Sequence, residues 1–319
     1  MRDVLIEMIY EKMFEDERIF FLSGDMGAPA LDKMREQFPK RFINMGIAEQ
    51  NLVNVASGLA LEGYCVFGYM IAPFVLRAYE QIRINLAISG QVRPVNVNLI
   101  GVGCGVSYDV SGPTHHCLED ITIFRVLPNV EVACPSDWVS AGAFGDYMIA
   151  KKSAKYIRLD GKPHQAIYAA GYRFDWNAGF EEILKGKDVC LISTGYMTQK
   201  ALGAACELER KGMRLGLIDM LLLEPFDREE LYDKINSYHT VVTIEEGFLH
   251  RGGLDTAILD TLNEKGSSIR TLSFGFKNEY SFRFGSRESF YAENGCSQIQ
   301  FIRHLEKLCG TGKVDLSKE

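Results

Sequence analysis

The sequence predicts an α/β protein of two domains, each a mostly parallel sheet flanked by helices. Short apolar runs alternate with helix-length amphipathic segments along most of the 319 residues, which is typical of parallel strands joined by helices. The alternation weakens over residues 161–180, where recurring glycine, proline and asparagine predict a linker. The length has room for about two domains. We therefore expect one domain over residues 1–170 and a second over residues 180–319.

The first domain is predicted to begin with a helix over residues 3–15, because Val4, Leu5, Met8 and Ile9 fall on one helical face. Apolar runs predict strands at 19–22, 65–67, 95–100, 130–133 and 156–159. Helical patterns cover residues 48–62, 74–88 and 137–151, and the last two of them follow predicted strands. A glycine-rich stretch after the third of these strands opens a long loop.

The second domain repeats the alternation after the linker. Its predicted strands cover residues 189–193, 215–219, 240–244 and about 269–273. Its predicted helices cover residues 198–211, 228–236, 254–264 and 296–308. This order of strands and helices indicates a smaller α/β domain.

The composition narrows the function classes. A hydrophobic content of 47% with 24% charged residues is ordinary for a globular protein with a large core. The net charge of −7 argues against nucleic acid or an anionic membrane as the main partner. The sequence shows no signal-peptide core and no bilayer-spanning apolar stretch. Its eight cysteines form neither a C-x-x-C pair nor a zinc spacing, so we expect free thiols in the reducing cytoplasm.

Residues 41–51 are the most informative segment of the chain. They read as a short apolar strand, a glycine elbow at Gly46 and a carboxylate, Glu49, in the first turn of a buried helix. Burying a carboxylate is costly unless another group pairs with it, and a carboxyl group held in this way can share or donate a proton. The segment alone leaves two interpretations open: a helix-capping Glu with an ion-pair partner, or a functional acid.

Four more motifs follow this segment in a fixed order. They are Gly-Pro-Thr-His-His at 112–116, Leu-Glu-Asp-Ile at 118–121, Leu-Pro-Asn-Val at 127–130 and Pro-Ser-Asp at 135–137. Together with residues 41–51 they resemble the pyrimidine-binding domain of the transketolase family of thiamine diphosphate enzymes, which includes the 1-deoxyxylulose-5-phosphate synthases. Residues 245–254 resemble the family's C-terminal domain, which mainly builds the dimer. The resemblance covers essentially the whole chain.

The resemblance implies a set of cofactor-binding residues. Glu49 would hydrogen-bond the pyrimidine ring nitrogen and favour the imino tautomer that activates the coenzyme. Phe74 would stack on the aminopyrimidine; its alternative is a core aromatic residue on an amphipathic helix. Asp25 and Met26 would lie near the thiazolium, with Met26 as an apolar wedge; their alternative is a plain turn after a strand. Pro29 stands where many relatives have a phosphate-binding Ser.

The resemblance also implies a set of substrate-binding residues. His115 would act over the thiazolium and contact substrate oxygens, and His116 would be a second substrate contact. Adjacent histidines rarely aim at one metal, so a zinc pair is disfavoured. Arg158, Arg77 and Arg2 match phosphate-binding or substrate-facing arginines of the family, and an Arg fork suits phosphate. The alternative for each arginine is a solvated side chain or an ion-pair partner.

One residue of the substrate loop departs from the family pattern. Ser111 stands before Gly-Pro-Thr-His where many relatives carry an Asp that reads a substrate hydroxyl. Asp109, two residues earlier, is the nearest carboxylate that could compensate. The departure leaves the usual substrate preference in doubt.

The family's Gly-Asp-Gly motif, which holds Mg²⁺ and the coenzyme diphosphate, is absent from the sequence. Because a cation must bind the diphosphate oxygens, we expect a separate chain to supply it. The lead hypothesis is the C-terminal subunit of a split transketolase, two copies of each chain assembling to move a two-carbon ketol unit from a ketose phosphate to an aldose. The alternatives are a deoxyxylulose-phosphate-synthase-like enzyme, a 2-oxoacid dehydrogenase beta subunit and a non-enzymatic scaffold.

Overall fold

The structure, a computed structural model, describes residues 1–27 and 29–310. The last nine residues of the predicted second domain, 311–319, lie outside this part of the chain. Its strands are β1 (Ile19–Ser23), β2 (Phe42–Asn44), β3 (Cys65–Ile71), β4 (Val97–Val102), β5 (Val130–Ala133), β6 (Ala154–Leu159), β7 (Phe180–Leu184), β8 (Val189–Ser193), β9 (Gly216–Met220), β10 (Leu222–Glu224), β11 (Thr240–Phe248) and β12 (Arg270–Phe276).

The helices of the described residues connect these strands. They are α1 (Arg2–Glu15), α2 (Pro29–Gln37), α3 (Glu49–Leu61), α4 (Ala72–Val75), α5 (Tyr79–Ile82), α6 (Asp120–Arg125), α7 (Trp138–Ala150), α8 (Tyr196–Glu209), α9 (Arg228–Ile235), α10 (Leu254–Glu264), α11 (Arg287–Glu293) and α12 (Gln298–Gly310). Within residues 1–27 and 29–310, no helix is both long and apolar enough to cross a membrane.

Two sheets organise the chain, and the predicted α/β class is confirmed. The first sheet has the strand order β10-β5-β6-β4-β3-β1-β2, and the second has the order β12-β11-β8-β9-β7. Only β10 and β7, among the described strands, run antiparallel to their neighbours. The carboxyl ends of parallel strands share one edge of a sheet, which is where α/β proteins place their ligand sites.

Strand β10 belongs to the second half of the sequence but joins the first sheet. It follows β9 of the second sheet directly, yet Leu222 pairs with Ala133 of β5 in the first sheet. The backbone amide of Cys134 also donates to the carbonyl of Leu221 at 2.8 Å. The sequence did not predict this strand, because three residues inside an apolar run carry no readable period.

Residues 72–88 do not form the single helix predicted over 74–88. After α4 the chain makes a 3₁₀ turn at Leu76–Ala78, then α5, then a π-helical segment at Arg83–Ile88. The buried residues of this stretch recur at Ala72, Val75, Ala78, Ile82 and Leu86, and Ala87 is buried as well. Their spacing begins at three residues and widens to four, so the tighter and wider turns keep every one of them against the core.

Two buried aspartates fasten the predicted linker. Asp137 accepts hydrogen bonds from the backbone amides of Ile167 at 2.7 Å and Tyr168 at 3.0 Å. Asp219, on β9, accepts from the Tyr168 hydroxyl at 2.8 Å and from the hydroxyls of Ser136 and Thr198. The linker and residues next to both sheets are therefore hydrogen-bonded to the carboxyl group of Asp219, which is fully buried.

The Asp219→Asn variant is expected to weaken the pH dependence of stability. Burial raises the pKa of Asp219 to about 7, so the folded chain binds more protons than the unfolded chain between about pH 4 and pH 7. Stability therefore falls as pH rises through that window, by about 1 kcal/mol per pH unit for one such group. Asparagine keeps a partner for the three hydroxyls, since hydroxyls both donate and accept.

Denaturant unfolding at several pH values between about 5 and 8 measures this effect. Burial also raises the pKa of Glu245 to about 7, so the variant should retain a smaller slope rather than none. An identical slope in wild type and Asp219→Asn would show that Asp219 is ionised in the folded chain throughout the window.

Candidate active site

Glu49 occupies the start of a buried helix, as predicted. It is the first residue of α3, and it is 3% exposed. The elbow before it needs glycine, because Gly46 has a φ of 72°. A carboxylate in the first turn is favoured by the helix dipole. The Arg77 Nη1 atom lies 3.3 Å from Glu49 Oε2, but the Arg77 side chain is 63% exposed, so this pair contributes little stability.

Phe74 and His115 meet although 41 positions separate them. Their ring centroids are 5.5 Å apart with an interplanar angle of 64°. Both side chains are half-buried, so each keeps a face available to a ligand. The Thr114 hydroxyl lies 3.0 Å from His115 Nδ1; sequence reasoning assigned this threonine no role. Arg77 follows Phe74 by one short turn, so one segment reaches both Glu49 and His115.

The turn after β1 is tied to the Glu49 elbow through Asn44. The Asn44 amide nitrogen donates to Asp25 Oδ1 at 2.9 Å, and Asn44 Oδ1 accepts from the backbone amide of Gly46 at 3.0 Å. Asp25 is exposed with a φ of 58°, and Met26 is half-buried. The structure therefore brings these two residues to the elbow, and their contact with a coenzyme stays a prediction.

His116 faces away from the Phe74 contact and packs against the second half of the chain. Its side chain is buried, and its ring meets Phe290 of α11 edge to face with centroids 4.9 Å apart. His116 Nε2 lies 3.4 Å from the carbonyl oxygen of Asp109, which can only accept, so Nε2 carries the proton. Burial lowers the pKa of His116, which favours the neutral ring. These contacts hold His116 within the protein, and its contact with a substrate stays a prediction.

Arg158 is buried and hydrogen-bonds other buried groups of the same chain. Its side chain is 2% exposed, and Nε donates to both carboxylate oxygens of Asp120, at 3.0 and 2.9 Å. Nη2 donates to the carbonyl oxygens of Cys117 at 3.2 Å and Glu246 at 2.6 Å. The structure therefore does not support a phosphate contact at Arg158. The sequence could not exclude one, because the acidic partner lies 38 positions away.

Three further residues were considered for substrate binding: Ser111, Asp109 and Arg2. Ser111 is exposed at the end of the 3₁₀ turn Asp109–Ser111. Asp109 is buried and accepts from the Lys162 ammonium and from the Arg287 backbone amide, so it does not replace the missing carboxylate at position 111. Burial opposes ionisation of Asp109, but these donors hold its pKa below the ordinary value. The Arg2 guanidinium pairs with Asp3 at 2.7 Å, and its phosphate contact stays a prediction.

The donor set fits one end of thiamine diphosphate. Glu49 offers a buried carboxyl group to a ring nitrogen, Phe74 offers a flat apolar face, and His115 offers a polar ring beside it. No group of three or more His, Cys, Asp or Glu residues in the described ranges is placed to hold a metal ion. Glu49, Phe74 and His115 are the residues of this chain that would hold the pyrimidine end of this coenzyme.

Comparisons with known proteins confirm the resemblance stated from the sequence. Residues 1–160 match the family model "Transketolase, pyrimidine binding domain", and residues 180–295 match "Transketolase, C-terminal domain". The chain is 31% identical to a subunit of the apulose-4-phosphate transketolase of Actinobacillus succinogenes over 82% of each chain. It is 31% identical to the 6-deoxy-6-sulfo-D-fructose transketolase subunit SqwH of Clostridium sp., over 83% of this chain and 81% of that protein.

A solved structure described as a split-gene transketolase, inactive beta4 tetramer, has the same fold. It superposes with a TM-score of 0.86 at 30% identity, covering 98% of this chain and 99% of that one. The match therefore extends over both sheets.

Proposed function

Because this chain belongs to the transketolase family of thiamine diphosphate-dependent transferases, we propose that it is the C-terminal subunit of a two-chain transketolase. It would transfer a two-carbon ketol unit from a ketose phosphate to an aldose acceptor. A separate subunit would hold Mg²⁺ and the coenzyme diphosphate. The observation that carries the proposal is Glu49, whose carboxyl group is buried at a helix N-terminus and contacts Arg77, one short turn after the Phe74 ring that meets His115.

The residues of this chain then have distinct tasks. Glu49 holds a proton at the pyrimidine ring nitrogen and so sets the tautomer. Phe74 binds and orients the ring through its face. His115, steadied by Thr114, holds or moves a proton at a substrate oxygen. Bound thiamine diphosphate supplies the nucleophilic carbon for the transfer.

A partner chain is part of the proposal. Both relatives described above are named as subunits, and the split-gene tetramer of beta chains is described as inactive. We propose a dimer of heterodimers with active sites between unlike chains, in the reducing cytoplasm that the cysteines predict. All eight cysteines are free in the structure.

Ser111 supports a substrate other than the usual pentose phosphates. The relatives' names give apulose-4-phosphate and a sulfonated deoxyfructose as substrates of those proteins. The exposed Ser111 provides a hydroxyl where many family members provide a carboxylate. A substrate hydroxyl at this place would therefore meet a neutral group instead of a charged acceptor. The second candidate is condensation of pyruvate with an aldehyde, as in the deoxyxylulose-phosphate synthases.

Reconstitution tests the proposed function. The chain alone, given thiamine diphosphate and Mg²⁺, is expected to show negligible turnover, whereas its complex with the co-purifying diphosphate-binding chain should convert ketose phosphates in an acceptor-dependent way. A panel of donors and acceptors identifies the sugars. Release of carbon dioxide from pyruvate would favour the second candidate. Robust turnover by the isolated chain would overturn the two-chain proposal.

A further inference from the structure

We infer that helix α11, in the second domain, positions the substrate loop (residues 109–116) so that His115 meets Phe74. This inference rests on the proposed function for the role of His115. The family resemblance gives the second domain a part in the dimer, and the contacts below give it a part in the active site. Arg287 and Phe290 are the positioning residues.

The first contact lies at the beginning of the loop. The backbone amide of Arg287 donates to Asp109 Oδ2 at 3.0 Å, across 178 positions of sequence. The Lys162 ammonium binds the same carboxylate oxygen. Because a buried carboxylate must be paired, Asp109 fixes the start of the loop against α11.

The second contact lies at the end of the loop. The Phe290 ring, which is 1% exposed, packs edge to face on His116. His116 in turn reaches back to the carbonyl oxygen of Asp109, so the two ends of the loop are joined beneath α11. His115 is the residue directly before His116, so a displacement of His116 moves His115 through their shared backbone.

The Arg287 side chain fixes α11 relative to both sheets. Its Nε atom donates to Glu246 Oε1 at 3.0 Å, and its Nη2 atom lies 2.6 Å from Asp160 Oδ2. Glu246 lies on β11 of the second sheet, and Asp160 directly follows β6 of the first. The guanidinium carbon lies 3.8 Å from the centroid of the Tyr196 ring. These contacts of the Arg287 guanidinium hold α11 in one position relative to the two sheets. A site supported by a rigid element keeps its geometry, so α11 can hold the substrate loop in place.

The test compares Phe290→Ala with Phe301→Ala in the full-length chain without coenzyme or substrate. Phe301 is a matched control, because it is a buried phenylalanine of the same core cluster and packs on Phe274 instead of the loop. NMR of histidine-labelled chain reads out each of the six histidines, and His116→Gln assigns the His116 signal. If the Ala variants do not fold, Phe290→Leu and Phe301→Leu give the same comparison.

Phe290→Ala is expected to raise the pKa of His116 toward its ordinary value, because the smaller side chain lets water reach a ring whose burial lowers that pKa. The magnetisation transfer between the His115 and Phe74 rings should be lost in this variant and kept in Phe301→Ala. In the assembled enzyme, kcat should fall by about 10- to 100-fold in Phe290→Ala. Unchanged His115 and His116 signals in Phe290→Ala, or equal changes in Phe301→Ala, would overturn the inference. The NMR result is independent of turnover and so of the proposed function.

Discussion

Glu49→Gln is expected to lower kcat of the assembled two-chain enzyme by at least about 100-fold, the scale of lost general acid–base catalysis. Glutamine keeps the size of the side chain in a site where Glu49 is 3% exposed, but it cannot share a proton with a ring nitrogen. Steady-state turnover at saturating coenzyme measures the loss. Thermal unfolding of the variant should stay close to that of wild type, since the neutral amide removes only a weak ion pair with an exposed arginine.

Glu80→Gln is the matched control for this prediction. Glu80 lies in the same helical stretch as Phe74, but it is exposed and pairs with the neighbouring Arg83 at 2.8 Å. Its replacement should leave turnover within about twofold, because exposed pairs of this kind contribute little. If Glu49→Gln retained wild-type turnover, Glu49 would be only a helix-terminal acid with an ion-pair partner, and the scaffold interpretation would replace the catalytic one.

Arg158→Met is expected to lower the free energy of unfolding by about 3–5 kcal/mol, the cost of leaving a buried charge without its partner. Asp120 is 0% exposed, and within residues 1–27 and 29–310 the Tyr156 hydroxyl, at 2.9 Å, is the one side-chain partner that it would keep. The carbonyl oxygens of Cys117 and Glu246 would lose a donor as well. Chemical denaturation of the full-length chain measures the change.

The double variant Asp120→Asn/Arg158→Met separates charge from packing. It should recover a large part of the lost stability, because removing both charges removes the unpaired one. If Arg158 instead bound a substrate phosphate, as the resemblance implies, Arg158→Met would raise KM for the sugar phosphate while stability stayed within about 1 kcal/mol of wild type, as for ordinary substitutions away from such pairs.

The sequence predicted those parts of the site that depend on short stretches of chain. Strand, glycine elbow and acid form a continuous segment, so the position of Glu49 at the start of α3 could be read directly. Phe74 and His115 were identified by motifs, and the structure places their rings 5.5 Å apart. The orientation of His116 was not predictable, because its neighbour Phe290 lies in another domain and looks like any core residue in the sequence.

By itself, the sequence determined the α/β class, the order of most strands and helices, and the local setting of Glu49, because periodicity and turn residues act over a few positions. Only the tertiary structure decided that β10 joins the first sheet, that Arg158 pairs with Asp120, and that α11 supports the substrate loop. Each of these three pairings joins residues that are far apart in the sequence and come together only when the folded chain buries its charged and apolar groups. The spacing of residues along the chain does not encode that pairing.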